Sequence, residues 1–394
     1  MVAGVSIGAG MLALPIAAAT IGPVLSLILM LLVAALMLYA GLVTAEVNFT
    51  LGESLSIAKM GEKCFGKGIY LVGIFTVIIL FYSLVCAYLS GMTSIIQKNI
   101  ISQELLQFDT KIFSDGAIST IIGLIIASIV FTSTKAVDYS NRLFFSVKFI
   151  LLGSLLVMLL PYVKGDFVLG KNLNINWHNM LLIVPIFFTS FGFHGSIPSI
   201  LKYVGHEKRD VVQIFTLGVS LPYIVYALWI TVTIGSLPPE GEHSLHYIQT
   251  ASDGLSALFS SIAGITGSTL VSYIVAGFSW CMITSLLGVT LGLVDFFIEI
   301  CGYSNSRFDR LKATMWTFFP PMALLLLKSK IFVSALAFAS IALSILAILI
   351  PCASSWYLIN KGQAKHFYYA KKPALICLMA FGCSVIVMGA TALS

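Results

Sequence analysis

From Val24 to Ala45 the chain reads VLSLILMLLVAALMLYAGLVTA, without one charged side chain. At ~1.5 Å per residue, such a helix covers roughly the 30 Å of bilayer hydrocarbon. Similar runs recur along the whole sequence, at about 2–22, 24–47, 68–97, 117–133, 140–162, 180–201, 211–236, 268–299, 312–327, 331–358 and 373–392. Eleven apolar segments joined by short charged loops predict an all-α integral membrane protein, because in lipid a spanning helix satisfies its own backbone. The stretch 253–265 is shorter and is expected to lie along or dip into the surface.

Nothing is left over for a soluble domain: of 394 residues, 59% are hydrophobic and 10% charged, and the mean hydropathy is +1.01. Residues 1–394 are therefore expected to form a single transmembrane domain. The net charge of +6 comes from Lys and Arg scattered singly among loops, not gathered on one face, so no nucleic-acid partner is expected. The lipid bilayer is the implied surrounding, and no obligate protein partner is inferred. The seven cysteines show no C-x-x-C spacing and lie mostly in apolar runs, as small packing residues do. No metal or other cofactor is expected. The opening MVAGVSIGAG has no basic leader before its apolar run, unlike a cleavable signal. Only seven residues precede Gly8, roughly 10 Å of helix, so a truncated N-terminus is expected.

Orientation follows from the asymmetry of Lys and Arg between the two sides. With the N-terminus inside, the outer side receives Lys98, Lys111, Lys164, Lys171, Lys328 and Lys330, while the other 16 of the 22 basic residues fall inside. Eleven spans then put the C-terminus outside.

The first span contains GAGMLALP (Gly8 to Pro15) and the sixth GFHGSIPSI (Gly192 to Ile200), each a glycine pair followed by proline. An offset of five spans turns one copy upside down relative to the other, as in transporters built from inverted repeats. FYSLVCAYLSG in span three echoes FSWCMITSLLG in span eight. The repeats would run over about 1–163 and 179–358, with an extra helix at 371–392. Broken backbone at membrane depth is tolerated only where protein or a watery cavity satisfies it, so the two breaks predict a binding site.

The stretches SIGAGMLALPIAAA, FFTSFGFHGSIPSI and TSLLGVTLGLVDF resemble signatures of the bacterial hydroxy and aromatic amino acid permeases. Tyrosine-type members are nearest and tryptophan-type members next. The resemblance covers essentially the whole chain, departing at the N-terminus, where family members have a longer first half-helix and a cytoplasmic lead. It implies a leucine-transporter-like fold with helices 1 and 6 broken, and an inner-membrane symporter, proton-driven in this family, importing an aromatic amino acid.

A zwitterion needs donors for its carboxylate and acceptors for its ammonium group. The half-helix starting near Gly10 offers the amides of Ala9, Gly10 and Met11 and the positive end of its dipole to a carboxylate. Gly8 and Gly10 let backbone approach the ligand. Carbonyls at Thr189, Ser190 and Phe191, freed by Gly192, and others near Ser6 would accept from the ammonium. Ser196 and Pro198 then restart the helix. Phe191, Phe193, Tyr82, Cys86 and Trp280 are candidates for the wall around an aromatic side chain. His194 is the histidine well inside a span; it either meets a phenolic hydroxyl or a proton, or sits neutral on a freed carbonyl.

Lys148 lies about 12 Å into span five, where it either snorkels or faces Thr284 and Ser285. In the resembled fold that corner can hold a sodium ion, and a lysine there would supply the fixed charge and couple transport to protons. Asp295 is a second proton-path candidate. Glu46 and Glu299 near cytoplasmic helix ends read as solvated or ion-paired. An intramembrane enzyme would need a reactive constellation, and the sequence has no H-E-x-x-H, no G-x-S-x-G and no paired intramembrane carboxylates. A channel would more naturally repeat its polar faces.

Overall fold

The structure is a computed structural model that describes residues 8–52, 54–97, 114–132, 134–170, 177–204, 207–267, 269–304, 306–363 and 368–392. Its regular structure is helical, with no strand among the described residues. In chain order come α1 (Ala9–Ala18), α2 (Pro23–Leu51), α3 (Ile57–Phe65), α4 (Lys67–Ile96), α5 (Asp115–Thr132), α6 (Thr134–Leu159), α7 (Trp177–Ser190), α8 (Ile197–Val204), α9 (Lys208–Ser236), α10 (Leu245–Thr250), α11 (Gly254–Thr266), α12 (Thr269–Cys301), α13 (Arg307–Leu327), α14 (Phe332–Ser344), α15 (Ile350–Asn360) and α16 (Lys372–Thr391). A short π-helical stretch, Ile345–Leu349, joins α14 to α15. Pro351 begins the return to α-helix, where its missing N–H breaks the regular ladder.

Among the described residues, eight helical stretches are long and apolar enough to cross a membrane, fewer than the eleven spans expected. The three others are identifiable. In α1, ten residues are described. The part of α6 with described side chains continues only from Ser146 to Tyr162. In α13, Arg307, Asp309, Arg310 and Lys312 occupy the first two turns. The molecule is a multi-pass membrane protein: its long helices turn large apolar side chains outward, with Phe75 66%, Leu217 70% and Leu327 87% exposed, which water would penalise and lipid does not.

The core gathers around α1 and α7. The first packs against α7, α9, α11 and α4, and the second also against α2, α14 and α16. Ala13, Leu14, Phe187, Phe188, Phe191 and Trp229 have no exposed surface at the centre of this contact.

Two polar joints fasten the periphery. Lys59 of α3 pairs with Glu299 of α12 at 3.0 Å, and this hydrogen bond holds the ammonium above its ordinary pKa. Glu46, read from sequence as solvated or ion-paired, is instead buried. Its Oε1 accepts from the backbone N–H of Tyr368 at 2.6 Å and Tyr369 at 2.9 Å, and its Oε2 from Ala370 at 2.9 Å. The hydroxyl of Tyr39, two turns earlier in α2, donates to the Tyr369 carbonyl. The stretch leading into α16 is thus tied to α2.

Candidate functional site

The sixth expected span is broken. Helix α7 stops at Ser190, residues 191–193 are not helical, His194–Ser196 form a 3-10 turn, and α8 starts at Ile197 with Pro198 as its second residue. Glycine, histidine and proline in close succession cannot continue the α-helical ladder cheaply. The carbonyls expected to be freed there are used differently from one another. Thr189 accepts from the Gly192 N–H at 3.2 Å and Phe191 from the Phe193 N–H at 3.1 Å. Only Ser190 takes its partner from another helix, the hydroxyl of Tyr226 in α9, at 3.3 Å.

The first expected span contributes its start. Helix α1 begins at Ala9, and its N-cap is Gly8, which has no side chain to cap the first turn. The Met11 N–H turns back to the Gly8 carbonyl at 3.2 Å, leaving Ala9 and Gly10 as the leading amides. Gly10 lies directly on the end of α7: a Cβ there would stand 2.8 Å from Ser190 Cα. A Cβ on Gly8 would collide with the Tyr88 hydroxyl and lie 3.7 Å from Ser285 Oγ. The glycines are what let the start of α1 approach the end of α7 at backbone distance.

One turn further, Pro15 lies inside α1. It has no N–H for the carbonyl four residues before it, which is that of Met11. The indole N–H of Trp229 fills the vacancy, donating to the Met11 carbonyl at 2.9 Å. Tyr226 and Trp229 are three residues apart on α9, both without exposed surface, so one helix face serves both α1 and α7.

The aromatic wall differs in part from expectation. Phe191 packs edge-on against Tyr226, ring centroids 5.6 Å apart. Phe193 packs against Phe215 at 5.4 Å. Tyr82 and Cys86 turn to α13 instead: the Tyr82 hydroxyl donates to the Trp316 carbonyl at 2.7 Å, and the Cys86 thiol faces the Pro321 carbonyl at 3.9 Å. Pro320 deprives Trp316 of its helical donor, so Tyr82 does there what Trp229 does for Met11. The residue of α4 that reaches the crossing is Tyr88, whose hydroxyl lies against Gly8. Tyr88, Tyr226 and Trp229 were missed by the sequence reading. The available signal was that Pro15 must orphan a carbonyl, which called for a buried donor from another span.

His194 is wholly buried, and among the described residues neither ring nitrogen has a partner in good hydrogen-bond geometry. Its ring lies along Phe193, centroids 4.7 Å apart and planes 34° apart, with the Met37 backbone of α2 close by but outside good hydrogen-bond geometry. Lys148 is buried on α6, which packs on α12, and Thr284 is buried on α12. Asp295, further along α12, is exposed and feels the charge of Arg310. Ser6 lies outside the described residues, as does the side chain of Trp280.

Comparison with known proteins bears on this geometry. The tryptophan/tyrosine permease family matches residues 1–389. The chain belongs to this family. Its relatives are transport proteins, so this permease is not an enzyme. One is the tryptophan-specific transport protein of Pseudomonas aeruginosa, 28% identical over 97% of this chain and 91% of that one. Another is the tyrosine-specific transport system 1 of Haemophilus influenzae, 31% identical over 90% of this chain and 86% of that one. The low affinity tryptophan permease of Escherichia coli is 26% identical over 89% of this permease and 84% of its own length.

Proposed function

We propose that the protein is a secondary active transporter that imports aromatic amino acids, tyrosine foremost, across the bacterial inner membrane by proton symport with alternating access. The observation that carries this reading is the backbone crossing of α1 and α7. At that point Gly10, in the first turn of α1, lies against Ser190, the last residue of α7, whose carbonyl accepts from Tyr226, with Tyr88 against Gly8, Phe191 against Tyr226 and Trp229 on the Met11 carbonyl. A zwitterion laid across it meets donors at one end and an acceptor at the other, and an aromatic side chain meets aromatic faces. Eleven spans, the inverted repeat and an inward N-terminus belong to the same proposal.

Lys148 supplies the coupling charge in this proposal, beside α12 with Thr284 and Ser285. A buried ammonium on a helix that must repack is suited to gaining and losing a proton. Relatives named tryptophan-specific favour tryptophan as the second substrate to test.

Purified protein in proteoliposomes, with imposed proton or sodium gradients and competition by all twenty amino acids, tests the reading. The expected result is uptake of tyrosine driven by a proton gradient, blocked by the other aromatic amino acids and abolished in Lys148→Ala. Uptake driven by sodium and indifferent to Lys148→Ala would overturn the coupling. Inhibition by serine or threonine in preference to the aromatics would overturn the substrate class.

A further inference from the structure

The two carbonyls served by α9 are held unequally. The Met11 carbonyl has lost its helical donor permanently, because Pro15 cannot supply one, and the Trp229 indole meets it at an ordinary 2.9 Å. The Ser190 carbonyl has lost its donor because α7 ends there, and the Tyr226 hydroxyl reaches it at 3.3 Å, beyond the usual range for a hydroxyl donor. A short bond to a carbonyl with no alternative is an anchor. A long bond to the carbonyl at the end of a helix is one that a stronger donor can replace, and an ammonium is a stronger donor than a phenol.

We propose that Tyr226 is a placeholder for the substrate ammonium on the Ser190 carbonyl, while Trp229 is the positioning residue that fixes α1 so that its first amides face the carboxylate. This rests on the proposed transport of aromatic amino acids and adds how the empty site is kept satisfied. Without a donor the buried Ser190 carbonyl would carry a desolvation penalty. Tyr226 removes that penalty in the ligand-free state and returns it as competition when substrate arrives. The hydroxyl therefore lowers affinity for any ligand bearing an ammonium group, whatever its side chain, and leaves ligands without one unaffected.

The experiment measures binding to purified protein of tyrosine or tryptophan, whichever the wild type holds more tightly, and of the same molecule lacking its amino group. In Tyr226→Phe the amino acid binds about fivefold more tightly, the worth of one net hydrogen bond, while the des-amino ligand is unchanged. In Trp229→Phe both ligands weaken together, because the carboxylate end has lost its anchor. With 3-fluorotyrosine at position 226 the side chain is kept, and its fluorine resonance moves on binding the amino acid and stays in place with the des-amino ligand. Tyr226→Phe binding the amino acid equally or more weakly, both ligands shifting alike in that variant, or a fluorine resonance indifferent to the amino group would each overturn the placeholder. A wild type that binds neither tyrosine nor tryptophan would overturn the transport reading and this inference together.

Discussion

His194 is the residue whose environment is least complete. A neutral imidazole offers one donor and one acceptor, and here both nitrogens are buried without partners. Each unsatisfied buried group costs about 1–3 kcal/mol, so this side chain opposes the stability of the state observed. Leucine has a similar volume and no polar atoms. His194→Leu is therefore expected to melt at or above the wild-type temperature in detergent, with a gain of about 1–3 kcal/mol, while transport falls and the preference for tyrosine over phenylalanine narrows. Thermal unfolding alongside competition uptake checks both halves; a variant that melts well below the wild type would mean that the nitrogens are satisfied in the native protein. His194 was legible in sequence because an imidazole inside an apolar run is expensive wherever it points.

Elements were legible unequally, for a physical reason. The break at Gly192–Pro198 announces itself because glycine and proline penalise a helix in any surroundings. The face of an unbroken span does not. In α4 and α9 apolar residues surround the helix, so nothing in the hydropathy pattern fixes which side faces the protein. Tyr82 and Cys86 were accordingly placed at the crossing when Tyr88, on another face of the same helix, is the one there. Glu46 was misjudged because its partners are backbone N–H groups more than 320 positions away, which no local pattern reveals. Those bonds form a small anion nest that ties α16 to α2. Glu46→Gln turns an amide N–H₂ toward donors in place of one oxygen. It is expected to destabilise the protein by about 2 kcal/mol, read as a lower melting temperature in detergent, with ligand affinity little changed. An unaltered melting temperature would show that the nest does not hold α16.

At the scale of the whole molecule the open quantity is how many times the chain crosses, and its parity has a sharp consequence. Eight crossings would leave both termini on one side, and eleven put them on opposite sides. Two of the three short cases have the burial pattern of crossing helices. In α6, Lys148, Leu152, Leu155 and Leu159 are buried on one face while Ile150 and Val157 are exposed on the other. In α13, Ala313 and Leu325 have no exposed surface, and Tyr82 reaches the Trp316 carbonyl between them. Twelve residues separate Ala313 from Leu325, roughly 18 Å of helix, so this element is packed through much of a bilayer's depth despite its charged first turns. The basic residues argue the same way for the interior of the chain: with eleven crossings they concentrate on one side, whereas removing any one of the third to tenth crossings moves later loops across and dilutes the bias. A phosphatase that folds only in the periplasm, fused after Ser394, is therefore expected to be active, and a fluorescent protein fused there dark. The reverse pattern, with the N-terminus shown to be cytoplasmic by the same reporters, would require an even number of crossings.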